Sequence, residues 1–301
     1  MTSIAIVIVT YNSAEVLPGC LASLLPSEGV DITRVVVVDN NSRDDSVALT
    51  FAAADRLPIR SVQTGRNAGY AAAVNAGVAT LAEEKYDAIW VMNPDTRLRP
   101  DTLRILAEAL REPRRGIIVP KILNPDGTLQ PSLRRKPTVG RALAEAVIGA
   151  KAGHIGSIGE LIADPREYER PHAAIWATGA AMLLGADMVR EIGDWDESLL
   201  LYSEETEYAL RAGDHGWSLW YDPRAVVEHI GGESGTNPKL AALLVVNKVR
   251  LFKRRNNLAS ASAYYAAVTL GEGVRALRGR RTSRASLAAL MHPKRKPSLG
   301  D

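Results

Sequence analysis

The stretch Trp90-Val91-Met92-Asn93-Pro94-Asp95-Thr96 decides the architecture. It closes an unbroken apolar run, Ala88 to Met92, that stops at a carboxylate. Five apolar residues without a polar interruption suit a strand buried on both faces of a sheet. A carboxylate at its end brings a metal-competent oxygen to the carboxyl edge, where open α/β sheets bind their ligands. The same pattern stands upstream. Ile4-Ala5-Ile6-Val7-Ile8-Val9-Thr10 is a β-branched run broken by Tyr11-Asn12-Ser13, and Val35-Val36-Val37-Val38-Asp39 is a second buried strand ending in an acid. Ile59 to Gln63 makes a third, shorter strand. Between them lie helical stretches: one capped by Ser13 and running to about Leu25, one after the turn Asn40 to Asp44 running to about Ala54, and the Ala-rich Gly69 to Leu81. Four strands alternating with helices predict a parallel sheet with right-handed crossovers.

Further along, Asp101 to Leu110 reads as a helix behind Pro100, Arg114 to Val119 as a strand, and Asn124-Pro125-Asp126-Gly127-Thr128 as a turn. Periodicity fades from Ser132 to Pro171, which predicts an irregular lid, a binding loop or a disordered insertion. Strand patterns return at Ala174 to Leu184, Ser218 to Tyr221 and Ala225 to Ile230, with a helix from Thr206 to Ala212 between them. After Gly232 the chain turns helical and basic, over Lys239 to Arg255 and Ala259 to Arg278. The expected organisation is an α/β domain over 1–238 and a helical basic extension over 239–301, disordered beyond about 279.

Composition narrows the classes. A 46% hydrophobic and 24% charged content is that of a globular chain with a sizeable core. Cys20 is the only cysteine, which excludes an intrachain disulfide and points to a reducing compartment. Its spacing with Leu17, Leu21 and Leu24 marks it as core. Met1 to Thr10 lacks a basic leader and a small-residue cleavage site, so it reads as a strand and not as a secretion signal. No segment reaches the roughly 20 apolar residues that span a bilayer. Net charge is +3, yet residues 248–301 hold thirteen Lys and Arg against two acids, or +11, leaving −8 on the remainder. A basic tail on an acidic body suits an anionic lipid surface or a nucleic acid. The aromatic platform for single strands is absent there apart from Tyr264 and Tyr265, so no nucleic acid is expected.

Several constellations carry chemistry. Asp39, with Thr10, Tyr11 and Asn12 on the neighbouring strand end, suits hydrogen bonding to a base or ribose; the plain alternative is a carboxylate capping its own turn. Gly65-Arg66-Asn67-Ala68-Gly69, followed by Asn75, is a loop entering a helix, where amides favour phosphate. Asp95, closing Asn93-Pro94-Asp95, offers a Mg²⁺ or Mn²⁺ site whose other ligands are nucleotide phosphates, with His229 as a second protein ligand and Asn93 beside the nucleotide sugar. Glu204 and Glu205 sit beside Trp195 and Tyr202; adjacent carboxylates raise one another's pKa, as a general base requires, although acids at a helix start also serve the helix dipole. No Gly-x-Gly-x-x-Gly follows the first strand and no Gly-Lys-Ser/Thr loop occurs, so dinucleotide and P-loop functions lose ground.

In series, these pieces resemble the inverting GT-A glycosyltransferases of family 2, rhamnosyltransferase-like members above all. The resemblance rests on Val9-Thr10-Tyr11-Asn12, Val38-Asp39-Asn40-Asn41-Ser42, Asn67-Ala68-Gly69-Tyr70 with Asn75-Ala76-Gly77, and Asn93-Pro94-Asp95. It continues through Thr178-Gly179-Ala180-Ala181, Gly193 with Asp194-Trp195-Asp196-Glu197, Glu204-Glu205 with Arg211, Gly216-Trp217, and His229 with Gly231-Gly232 and Ser234. It implies a mostly parallel α/β sheet flanked by helices, and an enzyme that moves a hexose-type sugar from a nucleotide diphosphate donor to a glycan or lipid-linked acceptor. It implies Asp95 and His229 at a divalent cation, with Asn93 standing where the family motif has its first acid. Thr10, Tyr11, Asn12, Asp39, Asn67, Gly69 and Asn75 would hold the nucleotide sugar. Thr178, Gly179, Ala180, Trp195 and Asp196 would shape the sugar and acceptor pocket. Glu205 maps onto the base, where the family usually has aspartate, with Glu204 as the alternative. The expected location is cytoplasmic, peripheral on the inner membrane face. A sugar-1-phosphate nucleotidyltransferase is the rival, but it would want a Gly-rich basic loop where Thr10-Tyr11-Asn12-Ser13 stands.

Overall fold

The computed structural model describes residues 1–231 and 236–292. Gly232 and Ser234 of the motif series, and 293–301 of the tail, lie outside the described residues. The chain divides into two compact units: one of 1–132, 168–200 and 204–231, the other of 133–167, 201–203 and 232–301.

The first unit is built on a nine-stranded sheet. Its strands are β1 (Thr2–Thr10), β2 (Val30–Asp39), β3 (Ile59–Gln63), β4 (Ala88–Met92), β5 (Thr96–Leu98), β6 (Arg115–Leu123), β7 (His172–Ala174), β8 (Ala181–Gly185) and β9 (Ser218–His229). The order is β3-β2-β1-β4-β8-β6-β9-β5, with β7 also paired to β9. β1 to β4 run parallel, as the alternating pattern predicts. β8 enters antiparallel between β4 and β6, and β9 lies parallel to β6. The two strands expected over 218–230 are one, because an irregularity between Asp222 and Val226 lets β9 continue past the break.

Burial on both faces explains the unbroken apolar runs. Ile4, Ile6 and Ile8 pack in a core with Leu17, Cys20 and Leu24 of α1 (Leu17–Leu24) and with Trp90 and Met92 of β4. Cys20 is wholly buried and its thiol is pushed up to about 12, so it packs and does not react. On the alternate residues of β1 and β2, a Cβ at Gly77 of α3 (Tyr70–Ala79) would lie 2.8 Å from Val7 and 2.9 Å from Val38. Glycine at that position lets the helix lie directly on the sheet. Ser13 does not cap α1 with its side chain; its Oγ accepts from the Tyr11 amide at 3.1 Å, and its carbonyl accepts the amides of Val16 and Leu17. The unit is completed by α2 (Ser46–Ala52), α4 (Thr102–Leu110), α6 (Ala186–Ile192) and α7 (Glu204–Asp214), so Glu204 and Glu205 stand inside the first turn of a helix and not before it.

The second unit is helical. The segment read as irregular, 132–171, forms α5 (Val139–Ile148), capped by the Thr138 side chain, followed by short 3-10 turns. Its periodicity is real but weak, since α5 buries only Ala142 and Ala146. Three more helices follow: α8 (Pro238–Arg255), α9 (Leu258–Leu277) and α10 (Arg281–Met291). The disorder expected beyond about 279 is therefore corrected as far as His292. Ser283, Ser286 and Leu290 of α10 are buried, and apolar anchoring holds the helix despite its charge. Phe252 and Tyr264 stack with centroids 3.8 Å apart. Lys248 ties the unit together, 2.8 Å from Glu160 and 3.5 Å from Glu145. Asn247 donates to the carbonyls of Leu201 and Tyr202 at 2.9 and 3.3 Å.

Candidate active site

The parallel strands deliver their carboxyl ends to one edge. Thr10, Asp39, Asn93 and His229 all arrive there, and antiparallel β8 begins there with Ala181, preceded by Thr178-Gly179-Ala180. The turn after β4 is pinned from both sides. The Asn93 amide donates to the Ala180 carbonyl at 2.9 Å, and Arg97 reaches the carbonyls of Pro94, Thr96 and Val16. Such fixing matters because a ligand oxygen on a loose turn would have no defined geometry.

Asp95 faces His229. Its Oδ1 lies 3.3 Å from Nε2, while its Oδ2 accepts the Gly231 amide at 2.9 Å. Burial pushes the Asp95 carboxyl upward, but the His229 contact and the Gly231 amide outweigh it and hold the group below the usual carboxylate range. The other ring nitrogen of His229 is 2.6 Å from Gln130 Oε1, and the Asn93 amide nitrogen lies 3.4 Å from Nε2. Gln130 and Arg97 were not among the residues singled out from the sequence. Neither belongs to a chemical motif, and only the pairing of β5 with β9 and the turn before β6's partner loop bring them in.

Glu204 and Glu205 separate by burial. Glu204 is 4% exposed and Glu205 is less enclosed. Burial, then the neighbouring Glu205 charge, drives the Glu204 carboxyl well above its ordinary range. Glu205 lies against Gly179, where a Cβ would sit 3.3 Å from its own Cβ. Tyr70 joins the two halves of the edge. Its hydroxyl donates to the Gly179 carbonyl at 3.1 Å, and its phenol is raised by burial and then by the charges of Glu204, Glu205 and Asp95. The chain reaches α7 through left-handed backbone at Leu200, Tyr202 and Ser203 (φ 24°, 66° and 74°), strain of the kind that collects at functional sites.

Other candidate residues have hydrogen-bond partners within the protein. Asp39 is 4% exposed, accepting from the Thr10 hydroxyl at 3.1 Å and the Ser42 amide at 2.9 Å, so it does cap its own turn. Asn12 adopts φ 49° and accepts the Arg43 amide at 2.8 Å, joining the first two loops, while Tyr11 stands exposed above them. The phosphate cradle expected at the start of α3 is spent internally. The amides of Ala68, Gly69 and Tyr70 donate to Asn40 Oδ1, Asn67 Oδ1 and the Leu200 carbonyl. Asn40, 3% exposed, is the keystone of that loop, bonded to Asn67 at 3.0 Å and to the Gly69 carbonyl at 3.3 Å. Asn75 exchanges hydrogen bonds with the backbone of Trp195 at 2.9 and 3.0 Å, and Trp195 itself is buried, stacked on Tyr208 at 4.6 Å. Asp196 caps a short 3-10 turn through Ser198. Asn75, Trp195 and Asp196 are therefore each held by contacts within the protein. Thr178 donates its amide to the Ser132 carbonyl, leaving the 178–180 turn beside both Asn93 and Glu205.

This fold and edge define a sugar-transferring class, and the comparisons agree. The chain belongs to glycosyl transferase family 2, whose family model matches residues 5–155. It is 32% identical over 247 residues to N-acetylglucosaminyl-diphospho-decaprenol L-rhamnosyltransferase of Mycobacterium tuberculosis, covering 77% of this chain and 78% of that one. It is 28% identical to a low-salt glycan biosynthesis hexosyltransferase of Haloferax volcanii, over 70% of this chain and 62% of the relative. Among solved structures, the Pyrobaculum calidifontis mannosyltransferase in complex with GDP-Man and Mn²⁺ shares the fold, with TM-score 0.58 at 16% identity over 97% of this chain and 81% of that one. The protein is a GT-A glycosyltransferase.

Proposed function

We propose that this enzyme transfers a hexose-type sugar, of the rhamnose class, from a nucleoside diphosphate donor to a lipid-linked glycan acceptor, inverting the anomeric carbon. The observation that carries the proposal is the Asp95–His229 pair at 3.3 Å on the carboxyl edge. The mycobacterial relative supports the sugar and the lipid-linked acceptor.

In this reading Tyr11, Thr10 and Asp39 frame the nucleoside end. Glu205 lies by the Gly179 turn and takes the proton from the acceptor hydroxyl as that oxygen bonds to the anomeric carbon. The bond to the diphosphate breaks on the opposite face, and the nucleoside diphosphate leaves with the electron pair. Raised by burial and by its neighbour, the Glu204 carboxyl limits the negative charge beside the developing centre.

A divalent cation fits the donor set. Asp95 Oδ1 and His229 Nε2 converge, and their partner atoms are already satisfied by Gly231 and Gln130. Among the described residues no three His, Cys, Asp or Glu side chains cluster, so donor phosphate oxygens would complete the shell. When bound, the ion neutralises charge on the leaving diphosphate.

No described helix is long and apolar enough to cross a membrane. Docking on an anionic bilayer is supported instead by the +11 of residues 248–301 together with exposed Leu258, Leu270, Leu277 and Met291 on the C-terminal helices and Leu143 and Val147 on α5. Transfer assays decide the catalytic assignment. Glu205→Gln and Asp95→Ala should each reduce transfer by at least about 10²-fold while leaving the circular dichroism unchanged. Near-full activity in Glu205→Gln would move the base elsewhere.

A further inference from the structure

A line of five side chains runs from an exposed turn to the candidate cation site, and its hydrogen bonds have only one consistent direction. It begins at Asp126 in the turn that follows β6. The Thr128 hydroxyl lies 2.6 Å from Asp126 Oδ1, and the Thr128 amide also donates to that oxygen at 2.9 Å. A carboxylate only accepts, so the Thr128 hydroxyl must donate to it. That leaves the Thr128 oxygen to accept from Asn124 Nδ2 at 2.9 Å. Asn124 then presents Oδ1, which accepts from Gln130 Nε2 at 2.9 Å. Gln130 is left with Oε1 toward the ring of His229, 2.6 Å from Nδ1. An amide oxygen can only accept, so Nδ1 carries the proton.

Reversal is blocked at both ends. Turning both amides around would make Thr128 donate to Asn124 and set its lone pair against the Asp126 carboxylate. It would also set Gln130 Oε1 against the His229 carbonyl, to which Gln130 Nε2 now donates at 3.4 Å. Each clash of acceptors forfeits a hydrogen bond, and together they oppose the flip.

We propose that the relay Asp126–Thr128–Asn124–Gln130 fixes a proton on His229 Nδ1, so that Nε2, beside Asp95 Oδ1 and the Asn93 side-chain amide, is the nitrogen left for a cation. The lock follows from the relay alone; its use for a cation rests on the proposed function. Gln130 is thus a positioning residue, and the exposed Thr128 serves the same purpose through Asn124. Such outer partners fix ring orientation and ligand basicity at metal sites.

The test is side-chain ¹⁵N NMR of the full-length, metal-free protein with labelled histidine, at a pH where the ring is neutral. The expected spectrum has His229 protonated on Nδ1 with an unprotonated Nε2. Gln130→Met should shift the ring toward the Nε2–H form, Thr128→Val should do so partially, and Gln130→Glu, which keeps an acceptor, should restore Nδ1–H. Wild-type protein with its proton on Nε2, or variants with an unchanged tautomer, would overturn the proposal. Titration with Mn²⁺ alone, followed by broadening of the His229 signals, should show roughly ten- to hundredfold weaker binding in Gln130→Met. A confirmed tautomer without any Mn²⁺ broadening would leave the lock standing and remove the cation from the proposed function.

Discussion

Single residues here decide whether the edge exists at all. Gly69 adopts φ 90° and ψ 171°, a region closed to side-chain-bearing residues, and an added Cβ would come within 2.1 Å of the Leu200 carbonyl. Gly69→Ala should therefore destabilise the protein by at least about 2 kcal/mol, measured by chemical denaturation. Burial sorts the two adjacent glutamates in a way that spacing does not reveal, and a pH series exposes it. At low pH both folded and unfolded chains hold the Glu204 proton. As pH rises past the ordinary carboxylate range, the unfolded chain releases it while the folded one retains it, so folding loses stability until the raised folded pKa is passed. Glu204→Gln should remove that slope, up to about 1.4 kcal/mol per pH unit, and be silent in acid. The sequence marked Asp95, His229, Glu204 and Glu205 because chemistry-bearing types stood at strand ends and helix starts. It missed Gln130, Asn40 and Arg97 because amide and guanidinium partners act through space and leave no periodic trace.

At the scale of elements, strands read more easily than the helical insertion. β3 and β4 match their predicted bounds residue for residue, β4 because an unbroken apolar run has few alternatives. α5 escaped because its buried stripe is only two alanines, too faint a period to separate from loop. Its place in the helical unit depends on a charge triad. The Glu145 side chain accepts the Glu160 amide at 2.9 Å, and Lys248 lies against both carboxylates. Burial alone would lower the Lys248 pKa, but the carboxylates outweigh it and raise it well above its ordinary value. Lys248→Met leaves two enclosed acids without their cation and should cost about 3 kcal/mol, read as a lowered thermal midpoint. The exposed faces of α9 and α10 carry the membrane prediction. The double substitution Leu270→Glu and Leu277→Glu touches residues 53% and 90% exposed, so folding should persist while flotation with anionic vesicles falls. Equal partitioning of variant and parent would end the bilayer reading, and high salt should weaken the parent's binding as screening removes its electrostatic part.

Over the whole molecule, chain order and spatial order part company. Strands 1 to 4 follow one another locally and pair as β3-β2-β1-β4, whereas β8 inserts between β4 and β6 from ninety residues away. That insertion sets Ala180 against Asn93, and the β5–β9 pairing sets His229 against Asp95. The helical unit likewise gathers 133–167 and 201–203 with the C-terminal helices, a grouping that no composition boundary announces. By itself the sequence determined the parallel α/β core, the family and the chemical types at the edge, because buried strands and their terminal carboxylates are written in local pattern. Only the tertiary structure decided which of those groups bond to their own turns and which pair across the edge. Asp39, Asn75 and Asp196 find their hydrogen-bond partners inside the protein, while Asp95 and His229 find one another across 134 residues of chain. The physical reason is that a polar group's role depends on whether its partners are already supplied, and those partners come from strands that meet only when the sheet closes.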